Sequence, residues 1–121
     1  MNPADLFRQD SDTLTLAPGE MLFRTGDVGK EMFVLIDGSA DILVGDTVVE
    51  VATPGALVGE MAMIEEGPRT ASVVAKDPCK LARINSRRFQ FLIQQNPFFA
   101  IHVMRVLVGR LRHMNQKLVE V

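Results

Sequence analysis

Residues 59–73 read Gly-Glu-Met-Ala-Met-Ile-Glu-Glu-Gly-Pro-Arg-Thr-Ala-Ser-Val, and the reading of this stretch decides the fold. It puts a permissive glycine, an acid, room for one helical turn, a tight turn and an arginine ahead of a β-rich run. Gly59 allows a backbone angle closed to most residues and a close approach to a ligand. Glu60 to Met63 can form one helical turn whose unpaired N–H groups face an anion. Arg69 is the only basic residue between Lys30 and Lys76, and it opens the run Thr70-Ala71-Ser72-Val73-Val74-Ala75. An unpaired charge is costly there, so the guanidinium needs an anionic partner. The ordinary partner is a surface acid, Glu65 or Glu66, and the ordinary role of Glu60 is that of an acid at a helix start. Taken together the residues favour the other reading, a loop that holds a sugar phosphate.

Outward from this loop, turn signals recur about every eight to twelve residues up to position 78. They are Pro18-Gly19, Gly26-Asp27, Asp37-Gly38, Gly45-Asp46, Pro54-Gly55, Glu66-Gly67-Pro68 and Asp77-Pro78. Between them lie Met21 to Phe23, Met32 to Ile36, Ala40 to Val44, Val48 to Ala52, Thr70 to Ala75 and Cys79 to Ile84, rich in β-branched and other apolar residues. Many short strands so punctuated predict a small antiparallel barrel or jelly roll.

After Asn85 the pattern becomes helical. Ser86 is the expected N-cap of a helix over 86–96 whose apolar face is Phe89, Leu92 and Ile93, and Asn96-Pro97 separates it from a second helix over 98–119. In that second helix Ile101, Met104, Val108, Leu111, Asn115 and Leu118 are spaced 3-4-3-4-3, a heptad seam with one polar member. Val103, Leu107 and Met114 widen the apolar surface beyond the seam. A helix so broadly apolar is expected to pack on the β-roll and also on a second copy of itself, giving a homodimer. Packing on the roll alone is the simpler alternative.

Composition narrows the function. The 121 residues are 47% hydrophobic and 23% charged, as expected for one soluble domain, 1–121. No signal peptide or membrane-length apolar run is visible, which makes a cytoplasmic protein without membrane contact the expectation. The net charge is −2, and no Lys/Arg stripe lies outside the last helix, so nucleic-acid binding is not expected. The single cysteine, Cys79, excludes an internal disulfide and a cysteine-cluster metal site. Both histidines, His102 and His113, fall in the last helix as surface or interface residues, and the expected roll has none to hold a metal or haem. No Ser/His/Asp or Cys/His pair is placed for nucleophilic catalysis, so no enzymatic activity is expected. Asp5, Asp10 and Asp12 read as solvated charges. Gly109 weakens the last helix by about 1 kcal/mol relative to alanine.

The 59–73 stretch closely resembles the phosphate-binding cassette of cyclic nucleotide-binding domains, roughly F-G-E-[LI]-[AG]-L, a short turn, then P-R-[TSA]-A-x-V. Val58 stands where the usual aromatic residue would be. Pro18 to Asp27 with Met32 to Gly38 fits the family's N-terminal strand-turn-strand signature, and Cys79 to Pro97 fits its last strand and following helix. The resemblance spans about residues 13 to 118 and is to the catabolite activator protein and cyclic-nucleotide-gated channel superfamily. It implies a mostly β fold, an antiparallel jelly-roll-like β-roll over about 13–85 with a short cassette helix, followed by the two α-helices. It implies that Glu60 accepts the ribose 2′-hydroxyl and that Arg69 pairs with the cyclic phosphate. Gly59, the Thr70 hydroxyl and the N–H groups of Met61, Ala62 and Ala71 would complete the cradle. Met114 and Asn115 fall where that family sends side chains to the base and across the dimer, and Asn115 could serve both. The implied ligand is cyclic AMP (cAMP) or, second, cyclic GMP (cGMP). Thr70 leaves the choice open, because a hydroxyl here accompanies guanine selectivity in some relatives and adenine binding in others. No metal is implied.

The resulting expectation is a cyclic nucleotide sensor that signals through its C-terminal helix to an effector protein. A roll that has lost its ligand and kept a dimerisation or scaffold role is the alternative. A cAMP-dependent transcription regulator is third. Such regulators carry a helix-turn-helix after the long helix, whereas this sequence ends at Val121, so direct DNA binding is not expected.

Overall fold

The run Met32-Phe33-Val34-Leu35-Ile36 is apolar at every position because its strand is covered on both faces. In the computed structural model, which describes the backbone of residues 2–119 and the side chains of residues 2–116, all five are buried. The elements are α1 (Ala4–Phe7), β1 (Thr13–Leu16), β2 (Met21–Phe23), β3 (Glu31–Asp37), β4 (Ala40–Val44), β5 (Thr47–Ala52), β6 (Leu57–Val58), α2 (Met61–Ile64), β7 (Ser72–Ala75), β8 (Cys79–Asn85), α3 (Ser86–Gln95) and α4 (Pro97–Val119). The strands form two antiparallel four-stranded sheets, ordered β1-β8-β3-β6 and β2-β7-β4-β5. This is the expected antiparallel β-roll with C-terminal helices.

Strand alternation divides the core in two. Phe33 and Leu35 of β3 point between the sheets, where they meet Ile42, Val58, Val73 and Leu81. Met32, Val34 and Ile36 point the other way and pack with Leu57 and Ile84 against Phe7, Phe89, Phe99 and Val103 of the helices. Phe99 meets Phe7 and Phe89 edge-on at ring centroid distances of 6.0 and 6.2 Å, so one side chain joins α1, α3 and α4.

Three elements lacked a sequence signal strong enough to predict them. The strand β1 is four residues of alternating Thr and Leu, β6 is two residues long, and α1 is a single turn. Three readings need correction. Asn85, not Ser86, caps α3, its side chain accepting a hydrogen bond from the Arg88 N–H at 2.8 Å. Thr70 and Ala71 precede β7 and do not belong to it. Asp10 is not a solvated charge: its carboxylate accepts two hydrogen bonds from the Arg88 guanidinium, which lies over the Phe7 ring and so ties the N-terminal segment to α3.

The last helix has two apolar surfaces. Val103 is buried, and Val106 and Leu107 pack on the helix-facing core. Ile101, Met104, Val108 and Leu111, members of the expected seam, are exposed, as are Phe98 and Met114. Leu118, the last member of that seam, lies outside the residues whose side chains are described. No helix among the described residues is long and apolar enough to cross a membrane.

Candidate functional site

The 59–73 loop runs from the end of β6, through α2, to the start of β7. Its geometry begins at Gly59, whose φ is +73°. A Cβ there would stand 2.5 Å from Nη1 of Arg69 and 3.1 Å from the Glu31 carbonyl oxygen, so both backbone angle and space demand glycine. The returning arm is pinned by backbone bonds: Arg69 N–H donates to the Asp27 carbonyl, and Gly26 N–H to the Arg69 carbonyl, each at 2.8 Å.

Arg69 is only 9% exposed. Its guanidinium carbon lies 4.2 Å from the centroid of the Phe23 ring, and Nη1 reaches the Gly59 carbonyl at 3.4 Å. Gly29 makes the slot possible, since a Cβ at that position would stand 2.0 Å from the arginine Nε. That Nε is buried with no hydrogen-bond partner among the described residues. Among the described residues no carboxylate lies within ion-pair distance of Arg69, so the surface pair with Glu65 or Glu66 does not form. Burial pushes the Arg69 pKa down, and the more distant charges of Glu31, Asp27 and Glu60 oppose it only in part. A small anion brought to this guanidinium would supply the missing acceptor and the missing charge.

Glu60 stands one residue beyond Gly59, is 4% exposed, and precedes α2 without capping it by a side-chain hydrogen bond. Its partner comes from the far end of the chain. Arg110 of α4 donates from Nη1 to Oε1 of Glu60, while Nε and Nη2 donate to the two carboxylate oxygens of Glu50 on β5 at 3.0 and 2.9 Å. Nη2 also donates to the Leu57 carbonyl at 2.7 Å. Burial opposes the Arg110 charge, but hydrogen bonds and charges from Glu50 and Glu60 outweigh it and raise the pKa above the ordinary arginine value. Oε2 of Glu60 accepts no hydrogen bond among the described residues.

The other expected site residues vary in placement. Thr70 is exposed and its hydroxyl donates to the Met61 sulfur at 3.8 Å. Met61 and Ala71 N–H take part in none of the loop's backbone hydrogen bonds, whereas Ala62 N–H donates to the Gly59 carbonyl at 3.2 Å. Asn115 is exposed and makes no hydrogen bond among the described residues. Five residues beyond Arg110, it lies about 140° around the helix and about 7.5 Å along it, so the two side chains do not share a face. His102 is half-buried, and burial, the largest cause, lowers its pKa, with the charge of Arg105 acting in the same direction. Among the described residues no group of His, Cys, Asp or Glu could hold a metal ion.

Arg110 and Glu50 were not among the residues expected from sequence. A signal for Arg110 existed: it follows Val103 and Leu107 at helical spacing, so it is a cation on the face that packs on the roll. Glu50 is harder to read. The pairing of β4 with β5 shifts register between Ile42 and Leu43, placing Glu50 opposite buried Ile42 and leaving Val49 unpaired.

Residues 13–96 match the model of the family described as "Cyclic nucleotide-binding domain". The chain belongs to this family. As a cyclic nucleotide-binding domain, it is 32% identical over 102 residues to the cAMP-activated global transcriptional regulator of Pasteurella multocida, covering 79% of this chain and 49% of that protein. It thus spans about half the length of that relative. Its structure is similar to that of the catabolite activator protein of Thermus thermophilus, with a TM-score of 0.77, 27% identity, and coverage of 88% of this chain and 52% of that one. It is also similar to a chain solved under the words "A cyclic-GMP-dependent signalling pathway regulates bacterial phytopathogenesis". That match has a TM-score of 0.74 and 28% identity over 88% of this chain and 89% of the other.

Replacing Gly59 tests the geometry of the loop. Gly59→Ala is expected to cost about 1–2 kcal/mol in urea denaturation, because the new Cβ must adopt a left-handed angle and displace Arg69. An unchanged midpoint would contradict the tight packing of Gly59 against Arg69.

Proposed function

We propose that this domain binds a cyclic nucleotide, with cAMP as first candidate and cGMP as second, and reports its presence through α4. The observation that carries this reading is the buried Arg69, whose Nε has no partner, and whose guanidinium has no carboxylate in ion-pair range, among the described residues. The cyclic phosphate would accept from that guanidinium and from the N–H groups of Met61 and Ala71, with the Thr70 hydroxyl at the rim. Glu60 would accept the ribose 2′-hydroxyl on Oε2, the oxygen Arg110 leaves open. The name of the Pasteurella relative supports cAMP, and the words attached to the similar phytopathogen structure keep cGMP in view. The function is binding, with no reaction and no metal.

Arg110 makes the signal physical. It ties α4 to Glu60, so a ligand that engages Glu60 acts on a side chain whose partner belongs to the helix. Any difference in nucleotide affinity between two positions of α4 shifts the helix, and by linkage an effector protein that reads the helix changes nucleotide affinity by the same factor. The exposed face of Ile101, Met104, Val108 and Leu111 follows the heptad spacing and supports a homodimer through α4. Asn115 would lie in that seam, and its contribution to the base would come across the dimer.

Titration calorimetry tests the ligand. The parent is expected to bind cAMP with measurable heat, and Arg69→Ala to lose about 1.5–3 kcal/mol of affinity, roughly 10- to 150-fold. Absence of heat with both cAMP and cGMP would overturn the sensor reading, and unchanged affinity in Arg69→Ala would overturn the placement of the phosphate. Sedimentation velocity tests the assembly: the parent should sediment as a dimer and Leu111→Glu as a monomer. A parent that stays monomeric at every concentration would remove the dimer.

A further inference from the structure

We propose that Glu50 is a positioning residue for the nucleotide sugar: it holds Arg110 on one oxygen of Glu60 so that the other stays open to the ribose. The proposal rests on the cyclic nucleotide reading above and concerns a residue that does not touch the ligand.

A guanidinium is a planar fork, and its strongest arrangement with a carboxylate is two parallel N–H···O bonds. Arg110 has two carboxylates in reach and makes that paired arrangement with only one of them. Nε and Nη2 both go to Glu50, at 3.0 and 2.9 Å, which fixes the plane of the fork and aims Nη1 at Oε1 of Glu60. The Leu57 carbonyl, 2.7 Å from Nη2, locks the same edge. The result is a single contact between Arg110 and Glu60, with Oε2 of Glu60 left without a partner among the described residues.

Glu60 has no other means of orientation in view. Its side chain does not cap α2, and Arg110 is the one group among the described residues that hydrogen-bonds its carboxylate. Glu50 is suited to the holding role because it sits on an edge strand of its sheet and is 38% exposed in its side chain, so its carboxylate is only partly desolvated. Without Glu50 the single bond to the Leu57 carbonyl is all that holds that edge, and one bond to a carbonyl leaves the fork able to turn and take both oxygens of Glu60. The oxygen needed by the ribose is then occupied, and the 2′-hydroxyl loses its acceptor while the phosphate contact at Arg69 is untouched.

The effect should therefore be confined to the 2′-hydroxyl, and comparison of cAMP with 2′-deoxy-cAMP isolates it. The parent is expected to prefer cAMP by about ten- to a hundred-fold, the contribution of a hydrogen bond to a buried carboxylate. In Glu50→Gln the preference should fall at least about fivefold through weaker cAMP binding, with 2′-deoxy-cAMP affinity within about twofold of the parent. Retained affinity for the deoxy nucleotide also reports that the variant is folded. In an Arg110→Lys background, where the ammonium cannot fork, Glu50→Gln should leave the preference unchanged. A Glu50→Gln variant that keeps the parental preference, or weakens both nucleotides equally, overturns the positioning role and leaves the nucleotide site standing. A parent that binds both nucleotides equally overturns it too. A parent that binds neither nucleotide overturns the proposed function and this role together.

Discussion

The guanidinium of Arg110, held between Glu50 on β5 and Glu60 beside α2, makes the two ion pairs among the described residues that join the last helix to the roll. Apolar contacts of Val103, Val106 and Leu107 also hold α4, but they are non-directional and tolerate sliding. The Arg110 network does not. Two hydrogen bonds to one carboxylate, one to a second carboxylate and one to a carbonyl require a particular rotation and height of the helix. The position of α4 and the arrangement of the candidate sugar-phosphate site are therefore set by the same side chain.

Buried Arg69 and half-buried Arg110 differ in how their charge is compensated. Arg110 donates four hydrogen bonds, three of them to carboxylates, and these partners more than offset the cost of its partial burial. Arg69 has an aromatic ring beneath it, one long contact to a carbonyl and an Nε with no acceptor among the described residues. Burying a charge without a partner works against stability, and a fold retains such a group where another requirement outweighs that cost. In the proposed function that requirement is an anionic cyclic phosphate, for which the described residues offer Arg69 no carboxylate in its place. Gly29 and Gly59 make the burial of Arg69 possible, since each leaves free volume that its side chain fills.

Much of this was legible before any coordinates. The recurrent Gly and Pro turns between short apolar runs predicted a small antiparallel roll, and Met32 to Ile36, one of those runs, is its strand β3. Gly59, Glu60 and Arg69 stood out because a permissive backbone, an acid and an isolated cation met in one loop. What stayed hidden depends on contacts between distant segments. Asp10 looked solvated because nothing local reveals Arg88, and Glu50 looked like an ordinary polar residue on a strand because its inward aim depends on a register shift with β4. Arg110 was half visible, as a charge on a packing face, but its two partners lie 60 and 50 residues earlier in the chain. Asn115 shows the converse, a residue picked out by a heptad pattern that the geometry of one chain sets apart from Arg110.

Coupling between nucleotide and helix is the central claim, and hydrogen–deuterium exchange of the intact chain with and without saturating cAMP tests it most directly. Amides of residues 97–112 should change their exchange along with those of residues 59–73, because the proposed ligand would engage Glu60, and Glu60 is bound to Arg110. A change confined to residues 59–73, with α4 exchanging as it does without ligand, would contradict the account.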